Sequence, residues 1–294
     1  MTSNIAATQN KGVEFTLNSR NIVNKSFQWT STLTFARNWD KLTSIDLGSN
    51  YPVSSLVSAN LFVGGPINAI YNYKKLGIWQ TSEATEAARY GCIPGQIKIA
   101  TVEKFDANGV GDGGYHTYSA SDKQLLGSSS PKWTFGFQNT FNYQNFDLNV
   151  FITMRWGQLV NSAILGAWQY NGDNIPSIFN YWTPTNPSND YPRPDKSAGN
   201  SSVVESCLGI VDGSYMKIKN ITLGYSLPKK TGNNLGINKL RVYATITNPL
   251  IIAKSPLLKD IDPETCGVGS LGSTDSSDSF PLYRQIVVGV NLTF

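Results

Sequence analysis

The sequence predicts an all-β fold made of antiparallel strands. Its composition is the first sign: 28 Asn, 30 Ser and 23 Thr accompany 26 Gly, 14 Tyr, 13 Phe and 7 Trp among 294 residues. Only 15% of the residues are charged, against about 25% in typical soluble domains. Two further observations are apolar residues at every second position in seven segments, and a regular alternation of short and long links between those segments. Together they favour β structure over a helical bundle or a disordered chain.

The clearest pair of strands lies in the middle of the chain. Odd positions of 133–141 are mostly aromatic and even positions are polar or Gly. In 145–155 the phase reverses, so that Phe146 and the following even positions are apolar and the odd positions are mostly polar. Residues 142–144 separate the two runs, and this arrangement predicts a β-hairpin.

Five more segments alternate in the same way, and each is assigned a strand. These segments are 13–18, 27–35, 221–227, 240–247 and 286–294. The seven strands approach the length of about 9–11 residues that crosses a membrane. Between Met216 and Ile221 the apolar phase switches from even to odd positions. This switch predicts either a β-bulge near Lys219 and Asn220 or a segment 215–219 that rises above the lipid.

The links between strands sort by length. The short links are 20–26, 142–144 and 228–239, and the long ones are 46–130, 157–212 and 248–283. Strict alternation is typical of outer-membrane barrels, which have short periplasmic turns and long extracellular loops. The sequence therefore predicts a segment of an antiparallel transmembrane β-barrel, with its aromatic-rich face toward lipid and its polar face lining a watery lumen. A soluble β-sandwich carbohydrate-binding module is the alternative, and a passive porin also stays open.

Several function classes are disfavoured by charge and by residue counts. The net charge is +4 and the basic residues are scattered, so no nucleic-acid partner is expected. No apolar run reaches the roughly 18 residues of a transmembrane helix. With His116 as the sole histidine and three cysteines at 92, 207 and 266, no metal site and no cofactor are expected. A disulfide between Cys207 and Cys266 stays open beside three isolated loop thiols.

Three motifs resemble sites but lack essential parts. Residues 109–114 match GxGxxG, yet the segment that follows does not look like the start of a helix. Residues 106–112 are similar to an acidic calcium loop, but Val110 replaces one oxygen ligand and Thr117 replaces the closing carboxylate. The acidic residues of 260–264 are close enough in sequence to suggest glycoside hydrolysis, or simply to be solvated charges. No catalytic residues are assigned, and an enzyme is not expected.

Aromatic residues in the second long link are the candidate substrate contacts. Trp168, Tyr170, Tyr181 and Trp182 all lie within 157–212. Aromatic faces pack against the C–H face of sugar rings, and nearby Asn and Asp side chains exchange hydrogen bonds with hydroxyls. The alternatives are that these aromatics pack a loop core or form an interface with a partner that acts as a lid.

Seven sequence motifs, in a fixed order along nearly the whole chain, resemble one protein family. They are 10–17 (NKGVEFTL), 66–80 (PINAIYNYKKLGIWQ), 94–98 (PGQIK), 126–127 with 131–136 (LG, PKWTFG), 181–194 (YWTPTNPSNDYPRP), 213–228 (GSYMKIKNITLGYSLP) and 289–294 (GVNLTF). With them the chain resembles the C-terminal part of a SusC/RagA-type TonB-dependent outer-membrane transporter.

The resemblance implies a 22-stranded barrel closed around an N-terminal plug, of which residues 1–294 hold about the last seven strands as an open sheet. The plug and the earlier strands would be absent from this sequence, and an export signal would lie elsewhere because 1–10 do not resemble one. It implies import of oligosaccharides or peptides in the outer membrane of a Gram-negative, Bacteroidetes-like bacterium. The implied partners are a SusD-like surface lipoprotein and the TonB complex, which would act through the missing plug. The terminal Phe294 resembles the sorting signal of outer-membrane proteins.

Overall fold

The computed structural model describes residues 6–45, 56–57, 60–168, 177, 179–197, 199–228, 238–266 and 282–293. Its strands are β1 (Ala6–Val23), β2 (Phe27–Ile45), β3 (Ala69–Ile78), β4 (Ile97–Ala100), β5 (Lys123–Ser128), β6 (Trp133–Tyr143), β7 (Phe146–Trp156), β8 (Leu159–Asn161), β9 (Ile210–Asp212), β10 (Tyr215–Ser226), β11 (Lys239–Ala253) and β12 (Gln285–Thr293). Three short helices are α1 (Ala84–Ala88), α2 (Ala163–Gly166) and α3 (Ser201–Val204). Single 3₁₀ turns lie at Thr81–Glu83, Ala120–Asp122, Glu205–Cys207 and Pro256–Leu258.

The main sheet contains all seven predicted strands. Its order is β1-β2-β6-β7-β10-β11-β12, and every neighbouring pair is antiparallel. Short connections at 24–26, 144–145 and 227–238 therefore lie at one end of the sheet, and the three long connections lie at the other. The predicted meander and the sorting of its links are confirmed. β1 and β2 have 18 and 19 residues, longer than their apolar alternation, because the backbone ladder continues where the side chains are polar.

One face of this sheet is apolar across neighbouring strands because the registers align. Phe35 pairs with Phe135, which pairs with Met154, which pairs with Met216. The next row, two residues along, joins Leu33, Phe137, Ile152 and Ile218 in the same way. Paired residues share a face, so these rows form one surface. The rows between them place small and polar residues, including Thr34, Gly136 and Thr153, on the opposite face.

Aromatic pairs mark the two ends of the apolar face. Trp133 and Trp156 stack with ring centroids 5.8 Å apart near the long loops, and Phe146 meets Tyr225 at 4.9 Å near the short turns. Ten residues separate these levels along a strand, which corresponds to about 25 Å of height at a strand tilt near 40°. This height equals the apolar band of outer-membrane barrels.

The phase switch in β10 is a β-bulge. Against β7, Ile218 pairs with Ile152 and Asn220 with the adjacent Phe151, so Lys219 is the extra residue there. The register with β11 shifts at the same point. The bulge lets Met216 and Ile218 share the apolar face with Ile221. Of the two explanations predicted from the sequence, the bulge is confirmed at the predicted place.

The sheet is open at both edges. Within the described residues, β1 pairs only with β2 and β12 only with β11. No second sheet in this part of the chain covers the apolar face, and Val290 on β12 is 60% exposed. A β-sandwich would bury this stripe between two sheets. The fold is therefore an open antiparallel sheet, and the sandwich alternative is wrong.

The buried core lies in the long connections rather than on the main sheet. A three-stranded sheet, β4-β3-β5, and the two-stranded β8-β9 pack there with the short helices. Its most buried members include Ile78, Trp79, Ile97, Leu165 and Leu208. We call this body of loops the cap. No helix among the described residues has the length and apolar character needed to cross a membrane.

Candidate substrate-binding site

The cap is held together by motifs that lie far apart in the sequence. The Gly95 amide donates to the Trp79 carbonyl, and the Gly95 carbonyl accepts from the Arg193 amide at 2.9 Å. The Trp182 indole Nε1 donates to Gln80 Oε1 at 2.9 Å. Segments 66–80, 94–98 and 181–194, three of the motifs behind the family resemblance, therefore meet in one place.

Gly95 is the tightest point of this junction. Its φ is +88°, a conformation that side chains disfavour. A Cβ atom here would lie 2.6 Å from both the Trp182 ring and Arg193 Cδ. Glycine is therefore required for two independent reasons, and its lack of a side chain leaves room for the Trp182 ring.

An aromatic stack fills the other side of segment 181–191. Phe179 and Tyr191 stack with centroids 4.2 Å apart, and Trp168 stacks on Tyr191 at 5.4 Å. The Tyr191 hydroxyl donates to the Leu165 carbonyl at 3.0 Å. Tyr181 lies at the margin of the stack, 6.3 Å from Trp168 between ring centroids.

The four predicted substrate contacts occupy different environments. Trp168 and Trp182 are buried, with 6% and 4% of their surface exposed, whereas Tyr181 is 38% exposed. Tyr170 lies outside the described residues. Trp182 still lines a mostly apolar cleft of about 480 Å³ together with Pro94, Pro184 and Pro194. The structure thus brings Trp168 next to Tyr181 and places Trp182 at a neighbouring cleft.

The polar face of the main sheet forms the second candidate surface. Near the short turns, Arg241 on β11 reaches across β10 to Asp147 on β7, with Nε 2.9 Å from Oδ1. This ion pair crosses Gly224, where a Cβ atom would lie 2.5 Å from both partners. Glycine at this position makes room for a charged bridge over the middle strand, which fixes the polar wall.

Toward the long loops the same face borders a cleft of about 530 Å³. Its charged lining residues are Glu14, Arg155, Lys219 and Glu264. The Thr153 hydroxyl nearby is buried and has no hydrogen-bond partner among the described residues. A polar, mixed-charge wall of this kind suits a hydrated lumen or a protein surface that contacts it.

A buried lysine anchors the third long connection to this wall. Lys217 is fully buried, and its Nζ lies 2.8 Å from Asp262 Oδ2 and 2.9 Å from Glu264 Oε2. Lys219 Nζ approaches both Glu264 oxygens at 2.6 Å. Burial favours a higher pKa for Glu264, but the two lysines outweigh it and lower that pKa. Asp262 and Glu264, two of the acidic residues suggested for glycoside hydrolysis, are therefore part of an ion-pair network.

The GxGxxG and calcium-like motifs form a tight loop. Asp106 accepts from the Asn108 and Val110 amides, and Asp112 accepts from Lys104 and Gly114. These backbone hydrogen bonds lower the pKa of both carboxyls. An irregular segment rather than a helix follows Gly114. No group of three His, Cys, Asp or Glu suited to a metal occurs among the residues that the structure describes.

His116 lies between two carboxylates. Its Nδ1 is 2.6 Å from Asp112 Oδ2 and its Nε2 is 2.8 Å from Asp122 Oδ1. Burial favours a higher pKa for Asp122, but hydrogen bonds from the Val102 and Ser119 amides and from His116 lower it. The sole histidine is therefore tied into the loop, with no nucleophile hydrogen-bonded to it among the described residues.

The three cysteines are thiols, and all are buried. The Cys207–Cys266 disulfide that the sequence left open is not formed; the Cys266 thiol donates to the Asp262 carbonyl at 3.3 Å. Burial raises the pKa of Cys207 to about 12. A thiol with so high a pKa is a poor nucleophile at neutral pH.

Comparison with known proteins agrees with this architecture. No family model matches the sequence. TonB-dependent receptor P3 of Formosa agariphila is 29% identical over 99% of this chain and 29% of its own length. TonB-dependent receptor SusC of Bacteroides thetaiotaomicron is 26% identical over the whole chain and 27% of its own length. The chain therefore spans about three tenths of the length of these relatives.

A solved structure shows the same fold. The RagAB peptide transporter superposes on 99% of this chain and 30% of its own with a TM-score of 0.70, at 22% sequence identity. The seven-stranded sheet and its loops thus have the fold of the matching part of that transporter, and the curated relatives are named TonB-dependent receptors. Within that class, the predicted resemblance to the SusC/RagA type is confirmed over the full length of the chain.

Proposed function

We propose that this chain forms barrel wall and external loops of an outer-membrane importer. The observation that carries the proposal is the main sheet: one continuous apolar face about 25 Å high, a polar opposite face, and all long loops at one end. A lipid-facing wall with a hydrated lumen needs this division of side chains. The similarity to TonB-dependent receptors supports active import rather than passive diffusion.

The open edges support a larger barrel around residues 1–294. Unpaired backbone groups cost several kcal/mol each in hydrocarbon, so an open sheet cannot span a membrane. We propose that β1 and β12 pair with further strands, and that the lumen beside the Arg241–Asp147 bridge holds a plug. The TonB complex would act through that plug. On this proposal Phe294 serves as the sorting signal.

The substrates we propose are oligosaccharides or peptides, captured beneath a SusD-like surface lipoprotein that covers the cap. Tyr181 and Tyr170 are the proposed direct contacts. Trp168 supports Tyr181 from behind, and Trp182 contributes through the neighbouring cleft. We propose no catalytic role, since Asp262 and Glu264 are neutralised by lysines and Cys207 is protonated.

Fractionation and uptake test this function. The protein should sediment with outer membranes, migrate faster on gels before heating than after it, and support substrate uptake that a protonophore abolishes. Tyr181→Ala should reduce uptake while leaving the heat-sensitive gel mobility unchanged. Recovery of the folded protein in a soluble fraction, or uptake that persists with the protonophore, would count against the proposal.

A further inference from the structure

A separate pocket of about 560 Å³ lies in the cap. It is bounded by β3, β5, the 3₁₀ turn Ala120–Asp122, α2 and the 3₁₀ turn Glu205–Cys207. Its size falls in the range of about 300–1,000 Å³ that is usual for small-ligand sites. Its polar lining residues are Asn60, Tyr71, Asn72, Lys123, Asn161 and Ser206.

Asn60 is the first sign that the pocket takes a polar ligand. The residue is only 5% exposed and has a φ of +56°, held by its own amide, which donates to the Val57 carbonyl. It belongs to the pocket lining, where an amide can both donate a hydrogen bond to a ligand and accept one from it.

Lys123 is the second sign. Its Nζ lies 5.4 Å from the centre of the Tyr73 ring, and no salt bridge holds it within the described ranges. The neighbouring Asp122 carboxylate is already engaged by Val102, Ser119 and His116. No Asp or Glu lines this pocket. The pocket therefore carries an uncompensated positive charge.

The remaining groups are fixed in place. The Ser206 hydroxyl donates to Asn72 Oδ1 at 2.9 Å, which also accepts from the Tyr73 amide. The Tyr71 ring packs against Phe62 at 4.9 Å between centroids. One aromatic ring, amides and hydroxyls are thus presented on a rigid frame.

We propose that this pocket binds an oligosaccharide that carries a carboxylate, such as a uronic-acid unit. The ammonium group of Lys123 would accept the carboxylate, the amides of Asn60 and Asn72 would bond ring hydroxyls, and Tyr71 would contact a sugar face. The apolar part of the lining consists of small residues, Val57, Ala120 and Ala163, and offers little apolar surface to a large peptide side chain. The inference rests on the proposed import function and narrows its substrate class.

Calorimetry on the detergent-purified protein tests this with three probes: trigalacturonate, its full methyl ester and triglutamate. The wild type should bind trigalacturonate at least tenfold more tightly than the neutral ester. Lys123→Gln should abolish that preference. Lys74→Gln, which removes the same charge from an exposed residue of β3 outside the pocket, should preserve it.

Equal binding of acid and ester by the wild type overturns the proposal, as does an equal effect of Lys74→Gln. Triglutamate binding that depends on Lys123 and exceeds trigalacturonate binding overturns it in favour of a peptide. If Lys123→Gln does not fold, the wild-type comparison of acid with ester still decides. A membrane-embedded protein that fails these tests contradicts only the pocket, whereas a protein absent from the outer membrane contradicts the proposed function.

Discussion

Replacing Ile152 with arginine tests the assignment of the apolar face. Ile152 pairs with Phe137 and Ile218, so its side chain lies among apolar neighbours. It is six residues from Phe146, which belongs to the aromatic pair near the short turns. Its height is therefore about 15 Å above that pair within an apolar band of about 25 Å, close to mid-bilayer. An arginine on the lipid face at that depth costs about 2–4 kcal/mol.

This cost corresponds to about a 30- to 900-fold change in the folding equilibrium. The matched control is Asn149→Arg, on the same strand but on the polar face, where Asn149 donates to the Thr140 hydroxyl at 3.0 Å. That control should lose about 1 kcal/mol at most. Denaturant titration in liposomes, followed by heat-sensitive gel mobility, measures both. Equal destabilisation by the two variants, or a larger effect of Asn149→Arg, would refute the assigned facing.

Three further predictions concern the loops. Lys217→Met should destabilise the third connection by about 3 kcal/mol or more, because Asp262 loses its buried partner; hydrogen exchange across 254–266 should rise, and Lys219→Met should have a smaller effect. Hydrogen exchange across the same segment should stay low from neutral pH down to about pH 5 and rise below 4.5. The reason is that the pKa of Glu264 is lowered in the folded protein, so the stability that this carboxylate contributes is lost on acidification. Unchanged exchange in acid would contradict this. Gly95→Ala should cost about 1–2 kcal/mol for its positive φ alone, plus the clash with Trp182; tryptophan fluorescence during thermal unfolding measures it, and a wild-type melting temperature would show that the junction does not need glycine.

The main sheet was predictable from sequence because its signal is local. Each strand alternates within its own ten residues, and even the bulge at Lys219 shows as a change of phase between Met216 and Ile221. The ends of β1 and β2 were not predictable, because Asp40 and Lys41 continue the ladder without apolar alternation. Pairing there is set by the neighbouring strand rather than by the residue pattern.

The cap was not predictable for the opposite reason. Its strands are short, and its packing depends on contacts between residues about a hundred positions apart, such as Trp182 with Gln80. Trp168 and Trp182 are both buried, Trp182 beside such a distant partner and Trp168 among the nearer rings of Phe179 and Tyr191. Likewise, the sequence suggests that Lys217 is a solvated charge. Only the structure shows that it pairs with Asp262, 45 residues further along the chain. Asn60 belongs to no motif, and only its positive φ and its place in the pocket lining single it out.

Spin labels placed one at a time along 146–156 test whether this sheet is a wall between lipid and a hydrated lumen. With Cys92, Cys207 and Cys266 replaced by serine, the accessibility of each label to oxygen and to a water-soluble nickel complex is measured in native outer membranes. We expect a period of two, with even positions accessible to oxygen and odd positions accessible to nickel. Alternation in the opposite phase, or access of the nickel complex to both faces, would contradict it.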